Sequence, residues 1–346
     1  MKVALVGPMD SPVSEDASGG TEIWTYNFAQ QLVERGVDVS VYALSESYFS
    51  GRLISIASQK DILQKDGSIS KTRHIFFSLK EMAQVVRDQS NYDLIHISVF
   101  SLIFYLPLIN LINKPIVVTL HGFPFGGDDA EVILPQVSKI NFVIISNFFL
   151  KKWAKPKKYR VIRHGIDLND FIYSEKSKDY FFWMNRISPE KGLEDAIEAA
   201  LRTNSSLIVS GPIRDQDYFE RILRPHLGKN ILYAGPLGLK EKVNYYQGAK
   251  AFLMPIKWEE PFGLVVVEAM ACGTPVIAYG RGAIPEIISD KSDGLIIKPD
   301  SIDGMVRAMK DVSSISRKSC RKKAEQKFSI DRMVDEYLDY YKQILA

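Results

Sequence analysis

The chain has 346 residues, 46% hydrophobic and 25% charged, an ordinary globular composition with length enough for two domains with separate cores. A net charge of only +3 argues against nucleic acid as a partner, and two cysteines, Cys272 and Cys320, in no metal or redox spacing argue for a reducing, cytoplasmic compartment. The first residues enter a strand without signal-peptide character, and the longest apolar stretch, Val99 to Ile112, is interrupted by Pro107 and too short for a bilayer span.

Short β-branched runs alternate with amphipathic stretches, which predicts parallel sheets covered by helices. In the first half, strands are expected at 2–6, 37–43, 94–98, 116–120, 142–146 and 160–163, with helices near 21–35, 79–89 and 102–111. These strands are continuous apolar runs, as expected where both sheet faces are buried. The alternation then repeats: strands at 180–184, 206–210, 231–234, 251–254, 276–278 and 295–297, with helices near 189–203, 217–223, 239–247 and 264–271. A polar stretch, 167–178, is the expected linker, and a cleft between two such sheets is the expected ligand site. Met333, Tyr337, Tyr340, Tyr341 and Ile344 then recur at helical spacing in an amphipathic helix over 330–345.

Open parallel sheets carry their chemistry at strand carboxyl ends, and the candidate ligand groups fall there. A loop from Gly7 to Ser18 closes on Gly19-Gly20-Thr21-Glu22, where two glycines either let backbone N–H groups approach a phosphate or simply turn the chain into a helix. Neither the Gly-x-Gly-x-x-Gly fingerprint of dinucleotide sites nor a P-loop is present. His121 follows the strand at 116–120, which places its imidazole at the sheet edge, able to donate to a sugar hydroxyl or to a neighbouring loop. His96, inside its strand, and His164, at the hinge, read as structural. No Ser or Cys stands beside a His in a nucleophile elbow, and no acidic cluster has the spacing of a divalent metal site.

Arg186 and Lys191 follow the strand at 180–184, with Ser188 as expected N-cap and Pro189 at the first helical position. A guanidinium fork beside a flexible ammonium suits a pyrophosphate, and positive charge opposes the dipole of a helix start; ordinary surface charge is the other reading. Glu260 and Glu268 flank a Gly-bearing turn that opens a helix at Leu264, where the N–H groups of Gly263, Leu264 and Val265 attract an anion. From the loop, Glu260 can accept from sugar hydroxyls, and Glu268, one turn into the helix, can reach a ribose diol; two solvated acids on a capped surface helix are the alternative.

Taken in order, Gly19-Gly20-Thr21-Glu22, His121-Gly122, His164-Gly165-Ile166-Asp167, Arg186 with Lys191, Glu260-Pro261-Phe262-Gly263-Leu264 with Glu268, and Ala269 to Val276 resemble the retaining glycosyltransferases of family 4 over nearly the whole chain. The resemblance implies an α/β GT-B fold: two Rossmann-like, doubly wound parallel-sheet domains facing each other across a cleft. The acceptor domain is expected over 1–165, joined by the C-terminal helix 330–346, and the nucleotide-sugar domain over 166–329. By the same resemblance Arg186 and Lys191 bind the donor diphosphate, Glu268 the ribose and Glu260 the hexose. Backbone N–H groups of Phe262, Gly263 and Leu264 are expected to face sugar and phosphate, Gly20, with Gly19, to complete the phosphate site from the other domain, and His121 to contact the sugar near the reacting carbon. Asn185 stands where the family usually has Gly, and Asn tolerates unusual φ better than most residues.

The implied reaction moves a hexosyl group from a UDP- or GDP-linked sugar to an acceptor hydroxyl with retention and without a metal or other cofactor. Arg186, Lys191 and the helix start at Leu264 stabilise the leaving diphosphate in place of a cation. Implied acceptors are saccharides, lipid-linked sugars or small molecules. A sugar-nucleotide 2-epimerase and an inactive sugar-nucleotide-binding protein are the other classes compatible with the motifs. The basic run from Lys151 to Arg160, behind the exposed-looking Phe148 and Phe149, reads either as a solvated turn or as a peripheral contact with anionic lipid at the inner face of a membrane.

Overall fold

The computed structural model describes residues 1–346 except Ser18, Phe100, Ser101, Phe125, Ala154 and Asp290. The end of the first loop, two residues of the apolar stretch and one of the basic run thus lie outside the described residues. The chain divides into two compact units, residues 1–163 with 330–346 and residues 164–329. Each is a parallel sheet with helices.

In the first unit the sheet comprises β1 (Lys2–Val6), β2 (Asp38–Ala43), β3 (Arg52–Ser55), β4 (Leu94–Ile97), β5 (Ile116–Leu120), β6 (Asn141–Ile144) and β7 (Tyr159–Val161). Their order is β3-β2-β1-β4-β5-β6-β7, every pair parallel. Strands β4 and β5 are buried throughout, which is why their sequences show apolar runs without alternation. Ile116 and Val118 join a core with Met82 and Tyr105, while Val117 joins a separate core with Trp24, Phe28 and Tyr337. Strand order reverses between β1 and β4, so the carboxyl ends of these two strands flank the position where open sheets of this kind take ligands.

The C-terminal helix Ile330–Leu345 packs into the second of these cores through Met333, Val334, Tyr337 and Tyr341. Its tyrosines are tied to the sheet by buried polar contacts: Tyr341 Oη lies 2.5 Å from His96 Nδ1, and Thr119 Oγ1 lies 2.8 Å from both His96 Nε2 and Tyr337 Oη. An unmade bond at any of these groups would cost about 1–3 kcal/mol, so His96 works as a structural connector.

In the second unit the sheet comprises β8 (Phe181–Met184), β9 (Leu207–Ser210), β10 (Ile231–Tyr233), β11 (Ala251–Met254), β12 (Val276–Tyr279) and β13 (Gly294–Ile297). The order β10-β9-β8-β11-β12-β13, again all parallel, reverses between β8 and β11.

Several local expectations need correction. The helix expected over 189–203 is a 3-10 turn, Pro189–Lys191, followed by a helix, Leu193–Arg202. Gly192 separates them with φ 67°, and a Cβ there would lie 1.8 Å from the Pro255 carbonyl oxygen, so the break is imposed by a distant loop. The helix expected over 79–89 begins at Lys71, because the polar residues of its first turns hide the apolar period. The apolar stretch near 102–111 forms a 3-10 turn, Leu102–Phe104, and a four-residue helix, Leu106–Ile109, rather than one long helix.

Candidate active site

Because β8 and β11 are neighbours at the point of reversal, the loops leaving their carboxyl ends meet. The Lys257 N–H donates to the Glu190 carbonyl at 2.9 Å, binding one loop to the other. The turn at Gly192 leaves the Lys191 ammonium 4.5 Å from the ring centroid of Trp258 and 3.5 Å from Glu260 Oε2, with the two charged side chains only 7% and 14% exposed. The indole N–H of Trp258 donates to that same oxygen at 3.0 Å. No bond reaches Glu260 Oε1 among the described residues. Burial pushes the Lys191 pKa below the ordinary lysine value; Glu260 pulls it up and Arg186 pushes it down again. A nearly dry ammonium of this kind interacts strongly with an arriving anion.

Arg186, on the same loop, is half exposed, and its only ion pair among the described residues is a loose one to Glu190 at 3.9 Å. Asn185 needs no left-handed backbone: among the described residues the non-glycine positions with positive φ are Asn204, Lys291 and Asp300, and its side chain rests 3.5 Å from Met254 Sδ.

Downstream, Gly263 takes φ 104°, a conformation that side chains resist, and caps the helix Leu264–Ala271. Leu264 and Val265 occupy the first helical positions, where an N–H has no intrahelical acceptor, while the Val266 N–H already bonds Gly263 at 3.0 Å. Phe262 is buried edge-on against His164, 5.1 Å between centroids, so only its backbone is available to a ligand and His164 is a packing residue. Glu268 is engaged on both oxygens: Lys242 approaches Oε1 at 2.8 Å, and Tyr246 donates to Oε2 at 3.1 Å. A carboxylate offers about four lone-pair positions, which leaves two for a ribose diol.

The first unit carries its groups at the corresponding edge of its own sheet. His121 Nε2 lies 2.9 Å from Ser98 Oγ, Ser98 Oγ lies 3.2 Å from Thr25 Oγ1, and Thr25 donates to the Thr21 carbonyl at 2.8 Å. Burial presses the His121 pKa down to about 3, so the ring is neutral, with Nε2 bonded to Ser98 at the sheet edge. Gly19 caps the helix Gly20–Glu34, and the Glu22 carboxylate folds back so closely that a Cβ at Gly19 would lie 2.0 Å from it. Glu22, with its pKa raised mainly by burial, thus lies at the helix start that the two glycines open; among the described residues nothing crowds Gly20.

Trp258, Lys242 and Tyr246 in the second unit and Ser98 in the first are contacts of the candidate residues that no sequence motif flags. One other feature differs from its sequence reading, and the cysteines agree with theirs. Phe149 is buried, stacked on Phe123 at 4.4 Å, and Phe148 is half buried, whereas Lys151, Lys152, Lys155, Lys157 and Lys158 are exposed. Cys272 and Cys320 are free and buried, with thiols pushed up to about 12 by desolvation, far from reactive thiolates. Among the described residues no group of three or more His, Cys, Asp or Glu is arranged to hold a metal ion, and no helix is long and apolar enough to cross a membrane.

Residues 18–170 match the family model described as Glycosyltransferase Family 4, and residues 167–327 that of Glycosyl transferases group 1. The D-inositol 3-phosphate glycosyltransferase of Saccharomonospora viridis is 35% identical over 400 aligned positions, covering 98% of this chain and 92% of that protein. The chain belongs to this glycosyltransferase family. The O-antigen chain mannosyltransferase C of Escherichia coli is 22% identical over 95% of the chain and 96% of its own length. Among solved structures, sucrose-phosphate synthase from Thermosynechococcus elongatus superposes with TM-score 0.80 at 20% identity, covering 99% of this glycosyltransferase and 98% of that chain. Anabaena Alr3699/HepE, in complex with UDP and glucose, does so with TM-score 0.78 at 18% identity, over 99% of each chain. The fold is GT-B, as in these neighbours.

Proposed function

We propose that this glycosyltransferase moves a hexosyl group from a nucleoside diphosphate sugar to an acceptor hydroxyl with retention at the anomeric carbon and without a metal. The observation that carries this reading is the convergence of Lys191, Glu260 and the helix start at Gly263 on the strand-order reversal of the second sheet, with Arg186 half exposed and only loosely paired with Glu190 on the same loop. Two cations and the N–H groups at Leu264 and Val265 offset the charge that develops on the leaving diphosphate, the task a divalent cation performs elsewhere. Glu260 binds the hexose through Oε1, Glu268 the ribose, and Phe262 contributes its backbone. Residues 164–329 serve the nucleotide sugar and residues 1–163 with 330–346 the acceptor, with Gly19, Gly20 and His121 as contacts of the reacting groups.

In the transfer step the bond from the anomeric carbon to the phosphate oxygen breaks as the acceptor oxygen bonds the same face, and the leaving phosphate takes the acceptor's proton. A UDP-sugar is the favoured donor because related structures hold UDP and UDP-glucose; a GDP-sugar is the second candidate. Saccharides, lipid-linked sugars and small molecules are the acceptor classes. The exposed lysines between Lys151 and Lys158 supply a peripheral contact with anionic lipid on the cytoplasmic side.

Incubation with UDP- and GDP-hexoses labelled in the sugar, together with each acceptor class, tests the proposal. Label transferred in step with nucleoside diphosphate release supports it. An epimerised hexose still attached to its nucleotide identifies an epimerase instead, and donor binding without turnover identifies a binding protein.

A further inference from the structure

Glu260 is held from one side only. Both of its donors, the Trp258 indole N–H at 3.0 Å and the Lys191 ammonium at 3.5 Å, converge on Oε2, while Oε1 carries no bond among the described residues. The same indole presents its face to Lys191, with the ammonium 4.5 Å from the ring centroid. One side chain therefore contacts both charged groups through different atoms: a ring face for the cation and an N–H for the anion.

The geometry points to Trp258 as the positioning residue of this site, fixing the Glu260 carboxylate so that Oε1 is presented to the hydroxyls of the donor hexose; this rests on the reading of Glu260 as the hexose clamp. Without the N–H, Oε2 has only the flexible Lys191 as partner, and the carboxylate can turn either oxygen toward it. A carboxylate free to turn loses the fixed acceptor that discriminates one hydroxyl configuration from another. Packing alone accounts less well for these contacts, since a core tryptophan would be served by any apolar neighbour, whereas this one directs its single donor at a carboxylate.

Trp258→Phe separates the two contacts because it keeps an aromatic face for Lys191 and removes the N–H. With the fold intact by circular dichroism, calorimetric affinity for free UDP should stay within about twofold of wild type, while kcat with the UDP-hexose falls about tenfold, the scale of one hydrogen bond to a charged group. The ratio of kcat/KM between the preferred hexose and its epimers should narrow in parallel. In a Glu260→Ala background the same substitution should change nothing further, because the group it positions is gone.

A wild-type kcat in Trp258→Phe beside a slow Glu260→Ala enzyme would overturn the role of Trp258 and leave the reading of Glu260 standing. A wild-type rate in Glu260→Ala would instead remove both. Equal losses of UDP affinity and kcat in Trp258→Phe would also overturn the inference, by showing that the indole supports the whole pocket rather than one carboxylate.

Discussion

Lys242 meets Glu268 at 2.8 Å across two adjacent helices, Leu239–Gly248 and Leu264–Ala271, with both side chains more than four-fifths buried. The pair therefore joins structure to ligand binding, since the carboxylate assigned to the ribose is also a tie between helices. Lys242→Met should leave that carboxylate without its cation and lower stability by about 3 kcal/mol, the scale for breaking one side of a largely buried pair. Thermal denaturation reads the effect, and adding Glu268→Gln should recover part of it. An unchanged melting temperature in Lys242→Met would show that the pair contributes nothing to the fold.

Arg186→Ala and Lys191→Ala should each weaken binding of the free nucleoside diphosphate, by about 1.5–3 kcal/mol for one charge-assisted bond. Their effects on the fold should differ. Arg186 is half exposed, so its loss should leave the melting temperature unchanged, whereas loss of Lys191 leaves Glu260 nearly buried beside Trp258 alone and should lower it. Calorimetry with UDP and thermal denaturation measure the two quantities separately; wild-type affinity in both variants would remove the loop from the phosphate site.

Much of this arrangement is legible in the chain itself. Strands β4 and β5 declare themselves because burial on both faces leaves no polar alternation, and the helix Leu264–Ala271 begins where Gly263 permits it. Gly192 is harder, because its conformation answers to the Pro255 carbonyl in another loop, a constraint that local pattern does not carry. The pairing of Lys242 with Glu268 and the aim of Trp258 at Glu260 likewise depend on how separate loops and helices meet. Phe149 is a different case: it lies four residues before Trp153, a helical spacing that marks a buried face, but the lysines around it suggest exposure.

Acid should destabilise the first unit before it affects most carboxylates. Burial lowers both His96 and His121 from 6.5 to about 3, with His121 adding charge repulsion at His96. The folded state thus favours neutral rings while the unfolded chain takes up protons below about pH 6.5, so stability present above that value is lost between about 6.5 and 3, at up to about 1.4 kcal/mol per pH unit for each ring. Melting temperatures from about pH 7.5 down to about pH 5 should fall steadily. A flat profile across that window in a variant carrying Glu22→Gln and Glu81→Gln, which removes the opposing proton uptake of two carboxyls whose pKa burial raises, would mean that neither ring is held neutral by the fold.

Activity should survive excess EDTA, because Arg186, Lys191 and the helix start at Leu264 are assigned the charge compensation that a divalent cation supplies in metal-dependent transferases. Turnover of the labelled UDP-sugar, measured with and without chelator, checks this. Complete loss, restored by manganese or magnesium, would contradict the assignment.

The two glutamates separate most sharply in binding against rate. Glu268 is assigned to the ribose, which free diphosphate and intact donor share, so Glu268→Ala should weaken both ligands. It also removes the acceptor for Lys242 and Tyr246, so a fall in melting temperature should accompany the loss. Glu260 is assigned only to the hexose, through the oxygen that Trp258 and Lys191 leave open. Glu260→Ala should therefore keep diphosphate affinity near wild type, while transfer falls at least about tenfold, or 1.4 kcal/mol, because bonds that tighten in the transition state appear in the rate. One complication has a definite sign: removing Glu260 frees the Lys191 ammonium from its carboxylate partner, and a less neutralised cation attracts diphosphate more, so any change in diphosphate affinity should be a gain. A loss of diphosphate binding as severe as that of Glu268→Ala, in a folded protein, would move Glu260 to the nucleotide side of the site.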